Sequence, residues 1–508
     1  MIRLLRKTKL PLAAAALWLL CPRAPAQSPA TQAEGSASND RMTALESRID
    51  RLAQSLAAAE GQVEDDHRKM QSMQAEIDEL RKQLSESDAG SAPEVARATS
   101  QLQQAVTQIR DEQEVIASQV QQHEQTKVES ASKLPVRFHG LVLFNAYVNE
   151  GVVDNADLPT SALERTSGQS HGSVGGTVRQ TMLSFEGRGP ALWNGRFSAD
   201  AALDFFGGVT SSLSAPSGIA RLRTGGITWQ SSNDLLRVGY DGPLISPLSP
   251  ASIATVAQPS LAWSGNLWAW APQLRYEHRF AFGDDREAGF EFGLYDAAYA
   301  SSYSNSSSSV SPGEAARQPG YETRWSYRAG KDASTLQLGV AGYYDRKNYG
   351  YGQTVDAWAG ATDWRLPVTK YANWSGEFYR GRGIGSLGGG AYRDAYTYTD
   401  PETGYPDVDG LDSTGGWTQW QLNFTDTMQL NFAGGQDTGY ASELRQAMQQ
   451  GTNPLYYYAR NRSLMANFIY RPWSSFLLSP EFRRINSWPT SGSVQWANVY
   501  TLSAGYEF

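Results

Sequence analysis

The sequence predicts an all-β transmembrane barrel of about sixteen antiparallel strands, preceded by an α-helical coiled coil. Three observations carry that prediction. The stretch "VRFHGLVLFNAYVN" puts Val136, Phe138, Gly140, Val142, Phe144, Ala146 and Val148 on one parity and Arg137, His139, Asn145 and Asn149 on the other, the period of a two-faced strand. Segments of this kind recur to the end of the chain, joined by links that are long and short in turn. The final "TLSAGYEF" keeps the pattern, with Leu502, Ala504, Tyr506 and Phe508 against Thr501, Ser503, Gly505 and Glu507. Soluble domains usually fray at this point, whereas a barrel must pair its last strand with its first. A terminal aromatic is typical of the assembly signal of such barrels. Tyr506 and Phe508 are therefore the expected signal, read by the barrel assembly machinery.

The elements follow in chain order. Residues 1–26 read as a secretory signal: Arg3, Arg6, Lys7 and Lys9, an apolar run from Leu10 to Leu20, then "APA" before Gln27. The run is too short to remain as a spanning helix. Cys21 follows Trp18, Leu19 and Leu20, a poor lipobox; once it leaves with the signal the chain has no cysteine, which excludes disulfides and thiol chemistry. Loss of the five basic residues in this leader takes the net charge from −8 to about −13, which argues against nucleic acid. No later stretch of about 20 apolar residues exists to span as a helix.

Residues 27–40, rich in Ser, Ala and Gln, read as a disordered tail. A coiled coil is expected over 41–130. Met42, Leu45, Ile49, Leu52, Leu56, Ala59, Val63, Asp66, Met70, Met73, Ile77, Leu80 and Leu84 keep 3,4 spacing with only Asp66 polar. Gly90 and Pro93 break it near 85–94, and a weaker heptad resumes through Val95, Leu102, Val106, Ile109, Ile116 and Val120. One rod and a hairpin folded at Pro93 both fit. No Phe, Trp or Tyr occurs between Gln27 and Arg137, and aromatics are frequent after it, so a domain boundary falls near "SKLPVRF".

The barrel is expected over 136–508. The long links run about 150–177, 207–219, 243–266, 300–320, 381–415 and 437–454, and the short ones include "GPALWNG", "SSND", "RLPVTK" and "TDT". That asymmetry matches long extracellular loops and short periplasmic turns, with both ends of the barrel periplasmic. Sixteen strands enclose a water-filled lumen. Trp325, Tyr327, Tyr344, Trp364, Trp374, Trp420, Tyr470, Tyr500 and Tyr506 fit interfacial aromatic girdles. The outward residues of the first and third strands are aliphatic with only Phe, a surface suited to a neighbouring subunit.

Signal, coil, strand pattern and terminal Phe508 together resemble a trimeric outer-membrane porin of the DcaP-like type. At residue level the resemblance rests on "GGWTQWQLNF", "SPEFRR" and "GYEF". It implies a homotrimer in outer-membrane lipid, with the coil in the periplasm of a Gram-negative cell. It also implies passive diffusion of small hydrophilic, often anionic, solutes. A structural tether whose coil contacts cell-wall peptidoglycan is the rival from another class.

No catalytic, metal or cofactor constellation emerges. "GIGSLG", Gly383–Gly388, matches G-x-G-x-x-G, but no helical period follows it. It reads as a glycine-rich loop, mobile or folded into the barrel. The five histidines include His139, a polar wall residue by parity, and no G-x-S-x-G is present. The segment "PLISPLSPASIATVAQPSLAW", Pro243–Trp263, holds four prolines and no charge. It follows the fifth strand, where porins fold a loop inward, and it lacks the acidic character of that loop in general diffusion porins. The wall opposite offers Arg188, Arg196, Arg221, Arg223 and Arg237, beside Asp200, Asp204 and Glu186. A ring of arginines selects anions unless the carboxylates neutralise it.

Overall fold

Strands that alternate in polarity need a wall with different media on its two sides, and the computed structural model arranges them as one. It describes residues 136–207, 218–296, 310–330, 335–350, 352–390, 393–400, 402–449 and 458–508. The signal, tail and coiled coil lie outside the described residues.

The barrel strands are β1 (Val136–Glu150), β2 in two segments (Gly172–Thr177 and Met182–Leu192), β3 (Gly195–Gly207), β4 (Ile219–Gln230), β5 (Asp234–Asp241), β6 (Ala271–Ala281), β7 (Arg286–Tyr295) and β8 (Gly320–Ala329). They continue as β9 (Leu336–Gly350), β10 (Gln353–Thr369), β11 (Ala372–Arg382), β12 (Asp412–Thr425), β13 (Met428–Gly439), β14 (Tyr458–Trp473), β15 (Phe476–Pro489) and β16 (Gln495–Glu507). Each pairs antiparallel with its neighbour, and β1 pairs with both β2 and β16. The sheet is therefore closed and has sixteen strands, which leaves no open edge in a membrane. Links within the pairs β2–β3, β4–β5 and β12–β13 are tight, and the chain enters and leaves at that end. The β9–β10 link is as short at the opposite end, because its strands extend beyond their neighbours as a hairpin.

Closure of the seam uses the last residue. The Phe508 N–H donates to Gly140 O at 3.1 Å, the Gly140 N–H donates to Phe508 O at 2.9 Å, and the Phe508 ring lies 5.4 Å from that of Phe138. Outward residues are apolar and exposed along the strands, among them Val142, Phe144, Leu464 and Leu502. Trp364, Trp374 and Trp420 stack in series across β10–β12, with centroids 5.6 and 6.1 Å apart, as in an interfacial girdle.

Candidate functional site in the lumen

The β5–β6 connection, residues 242–270, enters the barrel. Its prolines preclude a helix, so its backbone N–H groups need acceptors from elsewhere, and having no charge it takes them from the wall. Glu322 on β8 accepts from the Leu244 N–H at 2.6 Å. Glu377 on β11 accepts from the Ser246 hydroxyl at 2.5 Å and the Leu248 N–H at 2.7 Å. Gln419 on β12 accepts from Ala251 N–H, and Glu481 on β15 accepts from Ser252. At the far wall Gln180 bonds both Ala254 O and the Ala257 N–H, and Arg221 donates to Ala257 O. The loop then returns past β14, where Asn461 donates to Trp263 O at 3.0 Å. At Gly265, with φ of +102°, it comes so close to β12 that a Cβ would clash with Gly416 O, and only glycine tolerates both conditions. Apolar residues on the lumenal parity of β1 and β15, Leu141, Leu143 and Leu477, are buried beneath its Ile253 and Val256.

Two more loops fold in, so the lumen is less open than a single constriction loop would leave it. In the β1–β2 connection, Asp157 pairs with Arg179 at 2.6 Å, and both side chains are buried. Arg483 donates to Pro159 O, and the Ala162 N–H donates to Ser487. In the β11–β12 connection the "GIGSLG" stretch is folded in: Ile384 and Leu387 are fully buried, and Leu387 O accepts from the Trp268 and Ala269 N–H groups. Lys347 on β9 locks it, with its Nζ 2.6 Å from Asp394 and 2.7 Å from Ser386.

The five arginines do not form one ring. Arg196 sits beside the β2–β3 turn, eight residues or about 26 Å along β3 from Asp204 at 3.3 Å per residue. Arg188 pairs in register with Ser198, six residues or about 20 Å from the same carboxylate, and faces Glu186 at 3.9 Å. His139 is exposed on the lumenal parity, in register with Ser184. Arg237 binds Asp200 at 2.5 and 2.9 Å and Asp241 at 2.9 Å. Arg221 binds Asp204 at 2.7 and 3.0 Å. The register slips between Ala202 and Leu203, which leaves Arg223 as the extra residue of a bulge, next but one to Arg221. Arg223 has no ion pair among the described residues; it meets Met182 Sδ at 3.6 Å and lies 5.2 Å over the Trp270 ring. Trp268 and Trp263 continue that aromatic surface, with edge contacts of 5.4 and 5.9 Å.

The anchors Glu322, Glu377, Glu481 and Gln180 escape sequence reasoning, since their partners are far away in the chain. The signal that marks docking sites is the wrong-parity apolar residue, such as Leu143. On the outer face His278 bonds Asp234 at 2.7 Å, and Ser231 bonds Asp234 rather than the imidazole. Among the described residues no three His, Cys, Asp or Glu side chains are grouped to hold a metal.

The closed sixteen-strand barrel has counterparts among solved structures. The outer membrane channel DcaP of Acinetobacter baumannii is similar over 75% of this chain and 99% of its own, with TM-score 0.58 and 15% identity. The fold is that of an outer-membrane channel. Weaker likenesses are a loop-deletion mutant of OmpT, an outer membrane protein of Vibrio cholerae (10% identity, 74% and 100% coverage, TM-score 0.43), and an anion-selective porin from Comamonas acidovorans (10%, 74% and 100%, 0.46). Neither a protein-family model nor a curated protein matches this sequence.

Proposed function

We propose that this chain is an outer-membrane porin, a passive diffusion channel for small hydrophilic solutes that favours anions. The closed barrel, apolar outside and polar within, supports a pore, and the inward loop supports a constriction. One observation carries the preference. In the Arg221–Asp204 pair the carboxylate is fully buried while the guanidinium side chain stays 31% exposed, and Arg223 beside it has no acidic partner among the described residues. The charge shown to a passing ion at loop level is positive, and low-dielectric walls focus it. Long loops then face the exterior and tight turns the periplasm. The aliphatic outer faces of β1 and β3 suit a homotrimer, and the coiled coil expected over 41–130 is taken as periplasmic.

Reversal potentials in a salt gradient test the reading. The wild type should pass chloride faster than potassium, and Arg221→Ala/Arg223→Ala should shift the potential toward cations. The shift should shrink in 1 M salt, where screening acts over about 3 Å. A cation-selective wild type, or a double variant with unchanged selectivity, refutes the anion preference and leaves the pore intact. A folded barrel without conductance refutes the porin.

A further inference from the structure

We infer that Met182 is an oxidation site within the passage: peroxide entering the lumen converts its thioether to the sulfoxide, which weakens the anion preference by holding Arg223 against the wall. The inference rests on the porin reading above and gives that site a regulation. Met182 opens the second segment of β2 and pairs in register with Leu141 on β1 and with Asp204 on β3, which pairs in turn with Arg221 on β4. The thioether thus lies in one row with the Arg221–Asp204 ion pair, at the level of the inward loop. Its sulfur is 3.6 Å from Arg223 Nη1, and no oxygen accepts from that guanidinium among the described residues. A thioether is a weak acceptor, so the cation is held loosely. Its other contact is the Trp270 ring, 5.2 Å away.

The reaction is a two-electron oxygen transfer. A sulfur lone pair takes one oxygen of hydrogen peroxide, the O–O bond breaks, and the other oxygen leaves as water once the proton shifts to it. Sulfur is oxidised and the peroxide is reduced. The step needs a sulfur that a small hydrophilic solute can reach. Met182 is half-buried on the lumenal parity, whereas Met465 is 3% exposed and packed against Leu248 and Leu261 of the inward loop. Met428 is exposed, but on the outer face. Oxidation turns a flexible apolar side chain into a polar one, with an oxygen one bond from sulfur that accepts from Nη1 far better than the thioether does. Net charge is unchanged. The guanidinium is instead drawn off Trp270 toward the β2 wall, and the S–O dipole offsets part of its field. Methionine sulfoxide can be reduced again by dedicated reductases, so the change is reversible.

The test treats the purified protein with hydrogen peroxide, maps sulfoxide by mass spectrometry of its peptides, and records reversal potentials in a salt gradient before and after. Met182 should oxidise well ahead of Met465. The reversal potential should move toward cations by no more than the shift that Arg223→Ala produces, and methionine sulfoxide reductases should restore it. Met428→Leu should respond to peroxide as the wild type does, while treated and untreated Met182→Leu should give the same potential. Resistance of Met182 to the oxidant overturns the inference. So does a Met182 sulfoxide that leaves the potential unchanged, or a shift that persists in Met182→Leu. An untreated wild type without anion preference refutes the earlier reading and shows before any peroxide is added. The electrical effect of the sulfoxide then fails with it, while its formation is still read by mass.

Discussion

Glu377 is the anchor whose loss should do most to the inward loop. Its carboxylate receives the Ser246 hydroxyl at 2.5 Å, the Leu248 N–H at 2.7 Å and Trp417 Nε1 at 3.1 Å, all buried. Glu377→Ala strands three donors at once. Each unsatisfied buried donor costs about 1–3 kcal/mol, and water entering the gap relieves part of this, so roughly 3 kcal/mol of docking energy is at stake. That corresponds to about a hundredfold rise in the undocked population at 1.4 kcal/mol per decade. Single-channel recording should show larger or noisier open-channel current, and limited proteolysis should cut within 242–270. Glu377→Gln keeps one carbonyl for the Leu248 N–H but opposes its amide to the Trp417 donor, so its effect should fall between. A Glu377→Ala channel with wild-type conductance, noise and protease resistance would show that the wall acids do not hold the loop.

Other outcomes follow from the same contacts. Deleting Phe508, or changing it to Asp, removes the ring beside Phe138 and should leave unfolded precursor, read as loss of heat-modifiable migration; normal folding would refute the assembly signal. Arg179→Ala leaves Asp157 buried and unpaired and should cost about 3–5 kcal/mol, while Arg179→Ala/Asp157→Ala should recover much of it in thermal unfolding. Asp400, at the turn of a small hairpin in the β11–β12 connection (Ala395–Thr399 paired with Pro406–Gly410), is held below the usual carboxylate range by the Thr403 hydroxyl and the Glu402 N–H. Its contribution is present above the ordinary value of about 3.9 and is lost as pH falls through the lowered one. Protection of the Glu402 amide, taken relative to its intrinsic exchange rate at each pH, should therefore fall in acid, and Asp400→Asn should abolish that change.

The barrel is legible in the sequence because lipid on one side and loops or solvent on the other impose a strict period of two. Its strand count is legible because tight links such as "TDT" leave no room for another element. The interior is harder to read. Glu377 in "NWSGEFYRG" looks like any polar wall residue, and its backbone partner Leu248 is 129 positions away. Leu141 and Leu143 break the expected lumenal polarity in plain view, yet they name no partner until Ile253 and Val256 lie over them. The β4 bulge falls at Arg223, between Leu222 and Thr224, and the adjoining Gly225–Gly226 carry no side chains whose parity would reveal it.

Two ion pairs of the same chemistry, on adjacent strands, show why counting wall charges does not set the polarity of the passage. In Arg221–Asp204 the acid is buried and the base is exposed; in Arg237–Asp200 the side-chain exposures are 14% for the base and 38% for the acid. Arg221–Asp204 is neutral on paper yet presents positive charge to the lumen, whereas Arg237 carries a second acid, Asp241, and its site presents negative charge. Asp200 and Asp204 are four residues apart on β3, about 13 Å at 3.3 Å per residue, which exceeds the Debye length of about 8 Å at physiological salt. The two layers therefore act on an ion in sequence instead of cancelling. The layer at the inward loop is where Arg221 donates to Ala257 O and Arg223 lies over Trp270. Neutralising Asp200 should then change conductance more than selectivity, while the anion preference proposed above should depend on Arg221 and Arg223.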